Sequence, residues 1–358
     1  MTNRERPLTA GRLVAALMVA AFALAACGGS NGTSGGTTAT KYIVGVSNTL
    51  TGNGWREEMI CSIKAQAKVS GVVSKVIVAN RTTDAAGQIS DIRNLISSGA
   101  NVIVINPSDR DALNTVIKQA TDKGIVVVAV DQAVSEPSAY VVSNDQVAYG
   151  QLGADWLAKK LGGKGSIIEM RGINGVPADT DRHQGLTQAL ANYPNIKVVK
   201  QTFTNWSLDP AAQQMKDIFS SGIKFDGVWT SGIDATVVDT FQSANKPFVP
   251  IVGADNNKFV QQLATLKDKG LSGAAVTNPP PIGGAGLAVG LATLQKTHTY
   301  DHLIHLTPQV WDNSTADGTA KLQSTFDTSL DPYYSVAFDV KPYTTYTKQD
   351  LVSCQGPS

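Results

Sequence analysis

From residue 41 onward the chain alternates between two hydrophobic rhythms. Short runs rich in β-branched residues occur at 41–47 (KYIVGVS), 73–79 (VSKVIVA), 101–106 (NVIVIN), 124–130 (GIVVVAV) and 139–143 (AYVVS). Between them lie longer stretches such as GQISDIRNLISSG and DALNTVIKQATDKG, whose apolar residues recur at helical spacing and stop at glycine. Strands that are apolar almost throughout are buried on both faces, which predicts a parallel sheet covered by helices on either side. The alternation then repeats, with strands at 165–170, 196–203, 225–230, 248–254 and 271–277 and helices near 145–161, 178–192, 209–221, 233–244 and 256–268. The fold class is therefore α/β, with two similar doubly wound parallel-sheet lobes joined by a hinge and a ligand cleft between them. The expected first lobe is 41–144 plus about 278–303, and the second is 145–277 plus about 304–358. Hinge strands are expected near Ser143–Gln146, Thr277–Pro279 and 303–310. The proline-started stretch 278–295 predicts a helix returning to the first lobe, and 300–358 reads as irregular with short strands.

The residues before this alternation follow another pattern. Arg4, Arg6 and Arg12 precede an apolar run, LVAALMVAAFALAA, of the length of a signal-peptide core and too short for a comfortable membrane span. The run ends in LAAC, which resembles the lipobox of bacterial lipoproteins. Residues 1–26 are thus expected to be a cleaved signal, and Cys27 a lipid-bearing N-terminus that holds the protein at the cell surface or periplasmic face. Residues 27–40, mainly Gly, Ser and Thr, read as a tether.

Charge narrows the partners. The chain carries 30 basic and 29 acidic side chains, and losing three Arg and one Glu with the signal leaves it near neutral. Nothing points to nucleic acid. Beyond Cys27 only Cys61 and Cys354 remain, and in an oxidising compartment they are expected to form a disulfide pinning the C-terminal tail to the first helix; two free thiols are the alternative. No nucleophile elbow, Walker loop or dinucleotide fingerprint occurs, and GGAGLAVG has the wrong spacing and follows prolines, so neither cofactor nor catalysis is expected. His298, His302 and His305 have a spacing a helix could turn into a metal site, but LIHLTPQV reads as a strand, so no metal is expected.

In open α/β sheets ligands bind beyond the carboxyl ends of the strands. The polar and aromatic residues following these strands include Asn53, Trp55, Arg56, Asn106, Asp131 and Asn144 in the first half, and Arg182, Trp206, Asp234 and Asp255 in the second; Asn278 at a hinge strand joins them. Many post-strand Asn and Asp residues are turn formers or helix caps, whereas Arg and Trp cap poorly. Carboxylates, amides and guanidinium forks between two indole faces suit a sugar, with its rim of hydroxyls and apolar C–H faces.

The segments VIVINPSDRDAL, GIVVVAVDQ, VVSNDQVAYGQLGADWLAKKLG, EMRGINGVPADTDRHQGLTQAL and IVGADN resemble the ribose-binding-protein group of periplasmic binding proteins, over roughly residues 41–295. The resemblance implies sugar contacts at Asn106, Asp131, Asn144, Arg182, Trp206 and Asp255. It also implies a monomeric solute-binding lipoprotein that closes on a monosaccharide or related polyol and delivers it to the permease subunits of an ABC importer. The alternative is a sensor lipoprotein reporting to a membrane receptor, which neighbouring permease and ATPase genes would argue against; a secreted hydrolase would convert its ligand. Two features depart from the ribose pattern: LTGNGW is longer and offers one Trp where that pattern has an Asn and paired Phe, and Gln132 and Gly232 stand in place of Arg and Asn.

Overall fold

The computed structural model describes residues 41–358, and each of the ten expected apolar runs contains a strand. In the first half these are β1 (Tyr42–Asn48), β2 (Val73–Asn80), β3 (Val102–Ile105), β4 (Val126–Val130) and β5 (Tyr140–Asn144). The second half holds β6 (Lys164–Arg171), β7 (Asn195–Phe203), β8 (Gly227–Thr230), β9 (Ile251–Ala254) and β10 (Gly273–Val276), followed by β11 (Leu303–Leu306) and β12 (Val310–Asp312). The helices are α1 (Gly54–Ser70), α2 (Ala85–Ser97), α3 (Asn114–Thr121), α4 (Gln146–Lys160), α5 (Pro177–Leu190), α6 (Leu208–Ser220), α7 (Asp234–Ser243), α8 (Asn257–Thr265), α9 (Ile282–Gln295), α10 (Ala316–Thr325) and α11 (Lys348–Ser353). The expected signal 1–26, tether 27–40 and lipid-attachment residue Cys27 lie outside the described residues.

The strands form two six-stranded sheets, in the orders β11-β5-β4-β3-β1-β2 and β12-β10-β9-β8-β6-β7. All neighbours are parallel except β10 and β12, which are antiparallel. Each sheet is buried on both faces. In the first lobe Val44, Val46, Val102, Val104 and Val128 point to α1 and α9, while Ile103, Ile105 and Val127 point to α2 and α3. The glycine-rich segment expected to return as a helix is α9. Its apolar side chains join the first-lobe core, and a Cβ at Gly290 would lie 2.6 Å from a methyl of Val102, so the glycines serve close helix–sheet packing.

The chain passes between the sheets at 144–146, 277–281 and 307–309, where the hinge strands were expected. The tail departs from its expected assignment to the second lobe. β11 adds to the first sheet, β12 and α10 pack on the second lobe, and the chain then crosses a fourth time. Val340 and Tyr343 bury against the first-lobe core, while Tyr346 and Leu351 pack on Cys61 and Ala65 of α1. Apolar side chains at uneven intervals drive this return, and no strand or helix period announces them. Cys61 and Cys354 form the expected disulfide, with Cα atoms 4.5 Å apart.

The His298–His305 stretch spreads its rings among different neighbours. His302 stacks on Tyr140 with ring centroids 4.2 Å apart, and His298 lies against Tyr300. Among the described residues no group of three or more His, Cys, Asp or Glu is arranged to hold a metal ion.

Candidate functional site

A cavity opens between the lobes at the carboxyl ends of the strands. Eight of the eleven expected residues line it: Asn53, Trp55, Arg56, Asp131, Arg182, Trp206, Asp255 and Asn278. The turn after β1 sets up the first wall. Asn53 is the N-cap of α1, its Oδ1 accepting from the Arg56 N–H at 3.1 Å, and this places Trp55 and Arg56 in the first helical turn. The Arg56 guanidinium donates to Asn48 Oδ1 at 2.9 Å and is buried, which lowers its pKa to about 10. It stays charged at neutral pH, with Asp131 favouring that charge and Arg182 opposing it. Trp55 Nε1–H donates to the Asn278 carbonyl at 2.6 Å, fixing the indole to the crossing segment after β10.

Asp131, after β4, takes a left-handed conformation at φ 66°. Such backbone is uncommon outside glycine and costs on the order of 1 kcal/mol or more, so it persists where surroundings enforce it. Here Gln146 donates to Asp131 Oδ1 at 2.8 Å and Asn278 donates to the same oxygen at 3.2 Å. Burial raises the Asp131 pKa, while the positive charges of Arg182 and Arg56 pull it back down.

The second wall comes from α5, the turn after β7, and the end of β9. Arg182 Nε–H donates to Gln146 Oε1 at 2.8 Å, and its guanidinium lies 4.2 Å from the Tyr149 ring centroid. Asn205 and Trp206 are both left-handed, at φ 55° and 50°, and this double turn aims the indole into the cleft. Both Arg56 and Arg182 sit 5.9 Å from the Trp206 ring. Asp255 accepts from the Asn278 N–H at 3.1 Å and the Ser335 hydroxyl at 3.0 Å. Burial pushes its carboxyl up to about 6, and the nearby Asp234 carboxylate adds to the rise.

Three expected residues lie outside the cavity wall. Asn106 is buried behind it, accepting from Gln132 and donating to Met59 Sδ. Asn144 braces two crossings by donating to the Thr277 carbonyl and Asn278 Oδ1 at 2.9 and 3.0 Å. Asp234 accepts from Thr230 Oγ1, the Gly232 N–H and Asn256, so it holds the loop whose residues Ser231 and Gly232 do line the cavity. All three are post-strand polar residues whose partners turn out to be protein groups. Leu208, Asn256, Tyr333 and Ser335 complete the wall without having been expected there. Asn256 directly follows Asp255 and carried the same post-strand signal; Tyr333 and Ser335, in the irregular tail, carried none.

The lobes touch around this cavity. Asn53 Nδ2–H donates to the Trp206 carbonyl at 3.2 Å, the Ala178 N–H donates to Gln132 Oε1 at 3.0 Å, and Arg110 forms an ion pair with Asp181 at 2.7 Å. Leu50 of the first lobe is buried against Val176, Ala178 and Trp206 of the second. The arrangement is that of a closed cleft with two guanidinium groups and two carboxyls inside.

Known proteins resemble this chain in sequence and fold. The chain is 32% identical over 231 residues to the xylitol-binding protein of Mycolicibacterium smegmatis, a match covering 63% of this chain and 66% of that protein, just under two thirds of its length. It is 25% identical over 246 residues to the ribose import binding protein of Bacillus subtilis, covering 68% of this chain and 78% of the other. An ABC transporter solute binding protein from Thermobispora bispora superimposes with a TM-score of 0.74 at 25% identity, over 87% of this chain and 94% of that one. Residues 44–298 match the family description of a periplasmic binding protein domain, and the chain is a member of that family.

Proposed function

We propose that this protein captures a monosaccharide or related polyol by closing its two lobes and delivers it to the permease subunits of an ABC importer. The observation that carries the reading is the chemistry of the cavity: Arg56 and Arg182 offset Asp131 and Asp255 beside the Trp55 and Trp206 rings. A wall of balanced charge favours a neutral ligand, since a phosphate or dianion would meet two carboxyls and a dication two guanidinium groups. Hydroxyls can donate to the carboxylates and accept from the guanidinium forks, and a sugar's C–H face suits the indoles. The names of the xylitol- and ribose-binding relatives support that ligand class. The family and these relatives are binding proteins, and this chain is not an enzyme.

The position of the contacts supports closure. Asn53–Trp206, Gln132–Ala178 and Arg110–Asp181 exist only when the lobes meet, so a ligand touching both walls shifts the population toward the closed form. The crossings at 144–146, 277–281 and 307–309 are the proposed hinges. Membership of the family makes the protein extracytoplasmic; attachment through a lipid on Cys27 is part of the proposal, as is action as a monomer. A thermal-shift screen of sugars, polyols and nucleosides tests the ligand class. A sugar or polyol is expected to raise the melting temperature, and a response confined to another class would reject the assignment.

A further inference from the structure

The tail between α10 and the disulfide runs past the mouth of the cavity, beyond the 44–298 segment that matches the family. Its residues 331–337 are bonded to both lobes. On the second lobe, the first N–H groups of α8 donate to the strap, Asn257 to the Tyr334 carbonyl at 2.7 Å and Lys258 to that of Pro332 at 2.8 Å, and the Val336 N–H donates to the Asp255 carbonyl at 3.0 Å. On the first lobe, the Ser335 N–H donates to Glu58 Oε2 of α1 at 2.7 Å. Gly54, the first residue of α1, lies so close that a Cβ there would come within 2.7 Å of Tyr333 Cβ. Beyond the strap, Gln66 of α1 accepts from the Thr345 N–H at 3.0 Å, and Cys354 closes the disulfide to Cys61.

Two strap side chains reach the cavity: Tyr333 and Ser335. We propose that this strap is a specificity element of the ligand site, with Tyr333 limiting ligand size at the mouth and Ser335 acting as a positioning residue for Asp255. The inference rests on the sugar or polyol reading for the identity of the ligand. Ser335 is fully buried, and its hydroxyl and amide tie Asp255 of the second lobe to Glu58 of the first. Asp255 thereby keeps one oxygen on Asn278 and the other on Ser335 while lining the cavity. The charged and titratable groups around this junction include Asp234, Asp255 and Tyr149 on the second lobe, Glu58 on the first, and Asp331 and Tyr334 on the strap. Burial raises the Glu58 carboxyl well above the usual carboxylate range. Tyr333, wedged between the start of α1 and the cavity, closes the side on which a ligand could otherwise carry a substituent.

The test is calorimetric titration of the full mature chain and of Tyr333→Ala, Ser335→Ala and Gly54→Ala. The probes are xylitol, D-ribose, L-arabinose, methyl ribosides, adenosine and L-leucine. Ser335→Ala is expected to weaken the preferred ligand about tenfold and to move the acid limb of its binding curve to higher pH, because Asp255 loses a donor that favours its ionised form. Tyr333→Ala is expected to admit the methyl ribosides and narrow their gap to the parent sugar. Gly54→Ala, which displaces the strap without removing any group from it, should do the same. Affinities within about twofold of the unaltered chain, with unchanged ranking and pH profile in all three variants, would overturn the strap's role. If only adenosine or L-leucine binds the unaltered chain, the sugar reading fails, and the same variants test the strap with that ligand.

Discussion

The two walls of the cleft are held in place by different means. On the first wall the functional groups are held from their own lobe or from a crossing segment: Arg56 by Asn48 of its own lobe, Trp55 and Asp131 by Asn278 of the crossing at 277–281. On the second wall the indole of Trp206 is seated partly by the other lobe, through Leu50 against its ring and Asn53 on its carbonyl, and no protein group accepts from its buried Nε1–H. Under the proposed closure, one wall is preorganised and the other is completed as the lobes meet. Preorganised polar groups bind without an ordering cost, so ligand would dock first on the Arg56 and Asp131 side. Trp206 would then add its contact as the cleft shuts.

The largest effect should come from breaking the pinned wall. Asp131 is a buried carboxyl that interacts with both Arg56 and Arg182 and accepts from Gln146 and Asn278, and its removal takes away the acceptor these two donors share. Asp131→Ala is expected to cost about 3 kcal/mol of folding stability, the scale of removing a buried carboxyl that accepts two side-chain hydrogen bonds. Chemical denaturation of the ligand-free protein measures this. A loss in affinity without a loss in stability would show that the first wall is no more preorganised than the second.

The same contrast explains what could be read from the sequence. The two sheets were legible because buried parallel strands leave unbroken β-branched runs. The cavity was legible to the extent that it lies at strand ends, and Arg and Trp carried the strongest signal because they are poor turn formers. Asn106, Asn144 and Asp234 sit at equivalent strand ends with equivalent chemistry, yet they bond to Gln132, Thr277, Asn278, Thr230 and Gly232. Nothing local distinguishes a carboxylate awaiting a ligand from one already saturated by backbone. Tyr333 and Ser335 were illegible for another reason. Ser335 meets Glu58 across 277 residues of chain, and the tail docks through scattered apolar side chains and a disulfide rather than through periodic elements.

Trp206→Ala should give the next largest effect, weakening ligand by about 2 kcal/mol, roughly thirtyfold, from lost aromatic burial. Calorimetry should find the loss in affinity. Trp55→Phe is the matched change on the pinned wall: the ring stays and the bond to Asn278 goes, so about 1 kcal/mol should vanish from stability instead. Equal partition of both variants between affinity and stability would erase the distinction between the walls.

A smaller, graded effect is expected from pH. Asp255, raised from 3.8 to about 6 by burial, holds its proton longer in the folded than in the unfolded chain. Its contribution to stability is therefore greatest at acid pH and falls as pH rises through that window. Ligand binding should run the other way, since the ionised carboxylate is the better acceptor. Below about pH 6 affinity should drop by up to about tenfold per pH unit. Titrations from pH 5 to 8 measure the slope, which Asp255→Asn should flatten.

The smallest effect separates closure from binding. Arg110 and Asp181 pair at 2.7 Å at the partly exposed rim of the cleft, on opposite lobes and outside the cavity wall. An exposed ion pair of this kind contributes about 0.2–1 kcal/mol and is screened by salt. Arg110→Ala removes a contact that only the closed form makes and leaves the first wall intact. Stopped-flow measurements should therefore find a nearly unchanged association rate and a dissociation rate raised by at most about fivefold, with the difference shrinking at high salt. A slower association rate instead would mean that the rim pair acts before docking, and that capture does not begin on the first wall alone.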